Sequence, residues 1–521
     1  MSRPLLKSTG ITGTATLLSR LTGLVRDALI AQSLGAGVVS DAYLVAFKIP
    51  NFLRRLFAEG AFSNSFVPVF SEFRSQREQA EVRDLVGGVA GTLGSVLFVL
   101  SVLGVLISPV LIAIFAPAWA VRGSEGFDLA VQMLRWTFPF LLFISITSLL
   151  SGVLNSYGRF FVPAFTQVVM NLVMITAAAW FAPRSDSPGI VLAIAVFISG
   201  AAQVLFQLPA VARLGLLTWP RWRPRLEGVR RIARLMVPGI IGSSAAQISL
   251  VLDTQIATFL VAGSVTWLFY ADRLMEFPLG VFSIALATVI LPSLSVNHAS
   301  RSMAQFSSTL DWAIRLVVVL VTPAAVGMLF FAGPMTAMIL GYREFVAEDV
   351  VRTSYALMAY SWGLIAFSLV KVLVPGYYAR QETRKPVRIA LISLAVSTGL
   401  NVLLVIPAHL LGFPQPHILV ATATCTGALV NTILLWRGLV SDGVLKPAPG
   451  WSALLLRVLG ANAVMGALLW WLAGDTLRWT AMSFLERLWR CGGGILLAAV
   501  VYFAVLFLLG MRQHHLRSAR T

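Results

Sequence analysis

Four arginines lie inside stretches otherwise apolar enough to cross a bilayer: Arg20 and Arg26 in Ser19-Arg20-Leu21-Thr22-Gly23-Leu24-Val25-Arg26-Asp27, Arg54 in Lys48-Ile49-Pro50-Asn51-Phe52-Leu53-Arg54-Arg55, and Arg273 in Asp272-Arg273-Leu274-Met275-Glu276. A guanidinium at the centre of a membrane helix costs about 2.5–3.5 kcal/mol on insertion scales, so the four would cost on the order of 10 kcal/mol if they faced lipid. They are therefore expected to face an aqueous cavity. The chemistry they offer there is anion binding, because the planar fork of N–H donors grips phosphate oxygens from two sides, which a lysine ammonium does less well. In this subset cations outnumber nearby carboxylates, and a cationic surplus at low dielectric calls for an anionic ligand, a phosphate or pyrophosphate.

Helical periodicity groups these side chains. At about 100° per residue, Thr12, Thr16, Ser19, Arg20, Gly23, Arg26 and Asp27 share one polar sector of the first span. In the second span Asp41, Lys48, Arg55 and Glu59 lie on one line, with Arg54 off it unless Pro50 kinks the helix. Asp272, Arg273 and Glu276 share a side with Ser283 and precede the breakers Pro278 and Gly280. Two readings stand for Asp27, Asp41 and Glu276: cavity groups, or partners in internal ion pairs such as Arg26–Asp27 and Arg273–Glu276 that lock helices together. Lys48 and Arg55 either join the cavity or snorkel, and snorkelling is the expectation for Arg135, Arg315, Lys371 and Arg457 near span ends.

The elements that must carry this cluster follow from composition. With 58% hydrophobic and 12% charged residues over 521 positions, the chain has more apolar surface than a water-soluble fold of this size buries, so it reads as an all-α polytopic membrane protein. About fourteen spans are expected, near 9–33, 38–58, 85–115, 128–154, 161–182, 189–212, 230–261, 265–293, 308–332, 351–376, 387–410, 416–436, 452–474 and 490–511. Arg3 and Lys7 precede a run that contains Arg20 and Arg26 and lacks a small-residue cleavage site, which reads as a retained helix and not a signal peptide. Lys and Arg concentrate in the loops after even-numbered spans, for example Arg74, Arg77 and Arg83, then Arg380, Arg384 and Lys385, which places both termini in the cytoplasm. That asymmetry absorbs most of the net charge of +18 and leaves no call for nucleic acid. The stretch Trp219-Pro220-Arg221-Trp222-Arg223-Pro224-Arg225, continuing to Arg230, Arg231 and Arg234, reads as a topology determinant lying on anionic lipid rather than a specific partner site.

An internal repeat orders the spans. Gly60-Ala61-Phe62-Ser63 before Pro68 echoes Gly280-Val281-Phe282-Ser283 before Pro292, and Tyr157-Gly158-Arg159 before Pro163 echoes Tyr378-Ala379-Arg380 before Pro386. Both offsets are roughly 220 residues, or six spans, so the halves enter the membrane in the same direction as parallel repeats, with a substrate site expected between two bundles. The expected domains are 1–220, the N-lobe with the cationic cavity; 221–445, the C-lobe; and 446–521, two extra spans and a basic tail.

No Walker loop, HExxH or arguable Ser-His-Asp arrangement is present, and His298, His409, His417, His514 and His515 fall in or beside loops and the tail. Cys425 and Cys491 lack CxxC spacing and read as small core residues. A transporter without cofactor or metal is expected, not an enzyme.

The motifs quoted, together with Ser40-Asp41-Ala42 and the run from Phe47 through Arg54-Arg55-Leu56-Phe57-Ala58-Glu59 to Ser63, closely resemble the MurJ (MviN) family of lipid II flippases. This family belongs to the multidrug/oligosaccharidyl-lipid/polysaccharide superfamily. The resemblance implies two pseudo-symmetric six-helix lobes in a V shape plus two C-terminal helices forming a groove for a polyprenyl tail. It implies that Arg20, Arg26, Arg54 and Arg273 are the cavity arginines, with Ser19, Asp41, Asn51, Arg55, Glu59, Asp272 and Glu276 as neighbours. It also implies lipid II as substrate, carried to the periplasmic face of the bacterial inner membrane by alternating access, with membrane lipids and the cell-wall synthesis machinery as partners. The membrane potential is expected to assist resetting. Two rival readings are an exporter of drugs or of another polyprenyl-linked glycan in the same superfamily, and a non-transport scaffold of cell-wall synthesis.

Overall fold

The computed structural model describes residues 3–56, 62–284, 290, 294 and 302–512, and every regular element among the described residues is helical. The chain divides into two compact units, Met1–Val265 and Thr266–Thr521.

In the first unit, α1 (Arg3–Leu34), α2 (Val38–Arg54), α3 (Ser63–Gln76), α4 (Gln79–Leu106), α5 (Ser108–Phe115), α6 (Pro117–Arg122), α7 (Glu125–Thr137), α8 (Phe140–Ser156), α9 (Phe161–Thr176), α10 (Pro188–Ala212) and α11 (Glu227–Thr258) follow in order. A π-helical turn, Ala177–Phe181, extends α9. α1 stops where Gly35 takes φ 64, the left-handed cap that glycine adopts without a Cβ penalty. The sequence reading left residues 59–84 between spans, yet 63–76 form α3. Its i,i+4 phenylalanines Phe62, Phe66 and Phe70 stack with centroids 5.2 Å apart and are buried beneath Val82, Leu85, Val229 and Ile232. α11 contributes Val229 and Ile232 to that cluster and packs on α3 and α4. The division after Val265 and the boundary expected at 220 thus differ by one helix, α11.

In the second unit the order is α12 (Ser264–Pro278), which begins just before the division, then a π-helical turn (Leu279–Ile284), α13 (Met303–Ile339), α14 (Ala347–Ser361), α15 (Gly363–Tyr378) and α16 (Arg384–Leu400). A second π-turn, Asn401–Val405, leads into α17 (Ile406–Leu410), α18 (His417–Ser441), α19 (Trp451–Ala473), α20 (Thr476–Ala481) and α21 (Phe484–Leu508). The π-turns at Ala177–Phe181 and Asn401–Val405 are separated by roughly 220 residues, the interval of the sequence repeat. Packing repeats as well: α10 lies against α8 and α9 in the first unit, and α18 against α15 and α16 in the second.

Among the described residues nine helices, counting those continuous through a bend as one, are long and apolar enough to cross a membrane, and α14–α15, bent by 44°, makes a tenth. The other expected spans fall on α1, α2, α11 and α12. α1, α2 and α12 carry the charges of the cluster, and α2 and α12 run into π-helical turns at 55–56 and Leu279–Ile284.

Two prolines inside helices are compensated from outside. Pro50 has no N–H for the carbonyl of Ala46, and the buried Thr137 hydroxyl on α7 donates to that oxygen at 3.2 Å. Pro323 likewise leaves the Val319 carbonyl without its helical donor, and Tyr502 on α21 donates to it at 2.7 Å. Where hydrocarbon surrounds a helix, such a bare carbonyl costs several kcal/mol, so these hydroxyls stabilise the helices around Pro50 and Pro323. α21 also holds the end of α13 through buried Arg487, which donates to the carbonyls of Ala337 at 2.8 Å and Gly341 at 2.5 Å and lies 4.4 Å over the Tyr342 ring. A cation there meets carbonyls at the end of α13, where Ala337 also accepts from the Gly341 N–H at 3.2 Å. Cys425 and Cys491 are buried and form no disulfide.

Candidate functional site

In the first unit the site is built on the face of α1 that packs on α9. Arg26 donates through Nε and Nη2 to Asp27 Oδ1 at 2.9 and 2.7 Å, and through Nη1 to Asn171 Oδ1 at 3.0 Å. The Asn171 amide nitrogen donates in turn to the Ser19 carbonyl at 3.0 Å and the Thr22 hydroxyl at 2.9 Å. One side chain on α9, 1% exposed, therefore holds residues 19, 22 and 26, which successive turns of α1 stack on one stripe. Asn171 escaped the sequence reading, which followed charges; a lone amide in the middle of an apolar span was the available signal. The Arg26 and Asp27 side chains are 12% and 14% exposed, so the guanidinium is aimed by two acceptors while an edge remains accessible.

α2 brings a second group. Arg54 donates from Nε to Asn51 Oδ1 at 2.9 Å. Lys48 donates from Nζ to the hydroxyl of Thr254 on α11. Asp41 is buried and its Oδ2 accepts from the Gly263 N–H at 2.7 Å, tying α2 to the turn after α11. Arg20 and Arg55 are half-buried, and among the described residues neither has a hydrogen-bond or ion-pair partner. Glu59 lies outside the described residues, as do the side chains of Thr12, Thr16 and Ser283.

In the second unit α12 carries Asp272, Arg273 and Glu276, all half-buried. Arg273 Nη1 donates to Glu276 Oε2 at 2.8 Å, and its guanidinium lies 5.1 Å from the Phe269 ring centroid. Both ion pairs anticipated from the sequence are formed, but each joins neighbours on one helix. They do not lock helices together; across α1 and α9 that role falls to Asn171. Arg20, Arg26 and Arg54 belong to the first unit and Arg273 to the second.

Polar groups near span ends are held more firmly than snorkelling implies. Arg315 donates to Asp311 Oδ2 at 2.7 Å and to the carbonyls of Ala448 and Pro449, and its guanidinium lies 5.0 Å from the Trp451 ring centroid. A carboxylate one turn earlier and a returning loop replace the water it would otherwise seek. Asp442, just beyond α18, accepts from Lys385 at 2.8 Å and Arg380 at 3.3 Å, and Lys385 above all holds its carboxyl below the usual carboxylate range. His417, expected beside a loop, opens α18 fully buried, 5.1 Å from the Trp267 ring, with Nε2 3.0 Å from the Arg352 carbonyl.

Each unit thus carries guanidiniums that offer N–H donors to an anion: Arg26 aimed by an amide and a carboxylate, Arg54 beside the Asn51 amide, and Arg273 beside the Glu276 carboxylate. A sequence model described as "Lipid II flippase MurJ" matches residues 30–489. A protein of Haemophilus influenzae named "Probable lipid II flippase MurJ" is 42% identical over 96% of this chain and 99% of its own. One of Burkholderia cenocepacia named "Lipid II flippase MurJ" is 40% identical over 96% and 97%. Among solved structures the chain is similar to "Lipid II flippase MurJ, inward closed conformation", with a TM-score of 0.77 at 23% identity, covering 96% of this chain and 97% of that one. It is also similar to an inward-facing multidrug resistance MATE family transporter of the MOP superfamily, with a TM-score of 0.65 at 15% identity, covering 83% and 98%.

Proposed function

We propose, from the premise that the chain belongs to the lipid II flippase MurJ family, that it carries lipid II across the inner membrane of a bacterium. The substrate is the undecaprenyl-pyrophosphate-linked precursor of peptidoglycan, moved from the cytoplasmic to the periplasmic face by alternating access. The chain is a polytopic membrane protein acting as a transporter rather than an enzyme, with both termini in the cytoplasm. The observation that carries this reading is the pre-aimed Arg26 guanidinium, held by Asp27 and Asn171 inside a span of a chain related to flippases over almost its whole length.

Pyrophosphate is the part of lipid II that guanidiniums recognise. Arg26 and Arg273 each carry a carboxylate on the same helix, so a bound pyrophosphate competes with Asp27 and Glu276 for them, while Arg20 and Arg55 offer N–H donors directly. The two guanidiniums thus have an anionic partner before and after binding, and the charge that the pyrophosphate adds is met by Arg20 and Arg55. The membrane potential assists resetting, since moving one charge through 100 mV is worth about 2.3 kcal/mol; turnover unchanged when the potential is collapsed at constant pH would remove that part.

The test is the amount of lipid II on the outer leaflet of cells depleted of their own flippase and supplied with this chain or its Arg273→Ala form. External lipid II with the unaltered chain and its loss with the variant, at equal protein level, is the expected result. None with either would favour the scaffold or another glycolipid.

A further inference from the structure

Residues 213–226 join α10 to α11 as a strap laid along α4. Pro220 and Pro224 favour extended backbone, and the strap is bonded to the helix beneath it. The Arg221 N–H donates to the Gly87 carbonyl at 2.9 Å, the Arg223 N–H to the Thr92 hydroxyl at 3.2 Å, and Arg83 Nη2 to the Leu217 carbonyl at 3.2 Å. The helix leaves room for this: a Cβ at Gly91 would lie 2.3 Å from backbone atoms of Arg221. Two of the strap's cations are consumed inward, Arg221 and Arg223 both pairing with Asp84 on α4.

What the strap presents outward is of another kind. Trp219 is 86% exposed and Trp222 60% exposed. Around them Arg213, Arg225, Arg230 and Arg234 are exposed, with no side-chain partner among the described residues. Two neighbouring indoles left open are costly in water, and an indole is at home at the headgroup level of a bilayer, with its ring among glycerol and carbonyl groups and its N–H toward water. The strap sits at that level, because α10, which ends at its start, and α4, which carries it, are both long and apolar enough to cross the membrane. Arginines beside the indoles select among headgroups by charge.

We propose that this strap is a binding surface for anionic glycerophospholipids of the surrounding leaflet, with Trp219 and Trp222 seated in the headgroup layer and Arg213, Arg225, Arg230 and Arg234 taking the lipid phosphates. Pinning to α4 keeps the indoles from collapsing onto the protein. The surface is separate from the arginines of α1, α2 and α12, so its test does not depend on transport.

The test uses the full chain in nanodiscs containing brominated lipid, whose bromines quench indole emission on contact, and isolates the strap's signal as the difference from a Trp219→Phe/Trp222→Phe form. At equal mole fraction, brominated anionic lipid is expected to quench that component about threefold or more above brominated zwitterionic lipid, each surface arginine favouring anionic lipid by a small increment. The excess is expected to vanish in an Arg225→Gln/Arg230→Gln/Arg234→Gln chain that keeps its elution profile and thermal transition. Equal quenching by both lipids would overturn the proposal and leave a plain apolar anchor. Quenching by aqueous iodide but by neither lipid would overturn it by placing the indoles in water, open to a soluble partner. Persistence of the anionic excess in the glutamine variant would overturn the assignment of the arginines.

Discussion

Replacing Asn171 by Ala tests how the α1 guanidinium is aimed. The substitution removes one charge-assisted hydrogen bond to Arg26 and two bonds to α1, but leaves neither partner of the latter bare: the Ser19 carbonyl keeps its helical donor, and the Thr22 hydroxyl still donates to Leu18. The loss is therefore dominated by the Arg26 bond, worth about 1.5–3 kcal/mol for a charged donor. If substrate engagement needs Arg26 in this pose, affinity falls about 10- to 100-fold at about 1.4 kcal/mol per tenfold. Asn171→Asp separates aim from charge, because the new carboxylate still accepts from Arg26 but places a second anion beside Asp27. It should hold the guanidinium in place and weaken anion binding by neutralising it. The assay is external lipid II in flippase-depleted cells, with protein level and thermal stability measured in parallel. Unchanged external lipid II with Asn171→Ala at normal protein level would show that α9 does not set Arg26 for function. Full activity of Asn171→Asp would show that the charge at Arg26 is not what the substrate reads.

Arg487→Met keeps the apolar volume but strips the donor from the Gly341 carbonyl, while the Ala337 carbonyl keeps the Gly341 N–H; the loss is about 1–3 kcal/mol for one unsatisfied group, seen as a lower melting temperature in detergent. An unchanged melting temperature would refute it. The Asp442 carboxyl is lowered in the folded chain by Lys385 and Arg380, so its contribution is present above the ordinary carboxylate pKa of about 3.9 and lost as pH falls through the lowered folded value. Melting temperatures of the native chain and Asp442→Asn should differ at neutral pH and converge as pH falls through the lowered folded value. Gly91→Ala forces a Cβ into the Arg221 backbone, and limited trypsin digestion should then cut after Arg221 or Arg225 faster than in the native chain, the bond after Arg223 being closed to trypsin by Pro224.

The features most legible in the sequence were those set by period and composition. Apolar runs located the nine long apolar helices and the bent α14–α15 pair, and the interval of roughly 220 residues reappeared as paired π-turns and repeated packing. Charges in apolar context identified α1, α2 and α12. What periodicity could not reveal was partnership. Asp27 and Glu276 were visible as neighbours of arginines, but whether an ion pair runs along a helix or between helices depends on side-chain direction. Asn171 carries no charge and sits among Val168, Met170 and Met174, so only the geometry of α9 against α1 gives it weight. α3 was missed because its serines and charges dilute a stripe of three phenylalanines, which becomes recognisable once α11 covers it. Arg315 was read by its distance from a span end, and the loop that returns to bind it lies 133 residues along the chain.

The pairing of Pro323 with Tyr502 sets a condition on synthesis. The Val319 carbonyl and the hydroxyl that satisfies it are 183 residues apart, whereas Ala46 and Thr137 are 91 apart. At about 5–20 residues per second, the donor for Val319 emerges roughly 10–40 s after its acceptor has been made. During that interval α13 is a bent helix with an open acceptor, and water, lipid headgroup or the insertion machinery must stand in for Tyr502. The second unit is therefore completed only once α21 has left the ribosome, and a chain cut short before α21 would leave the Val319 carbonyl of α13 without this donor.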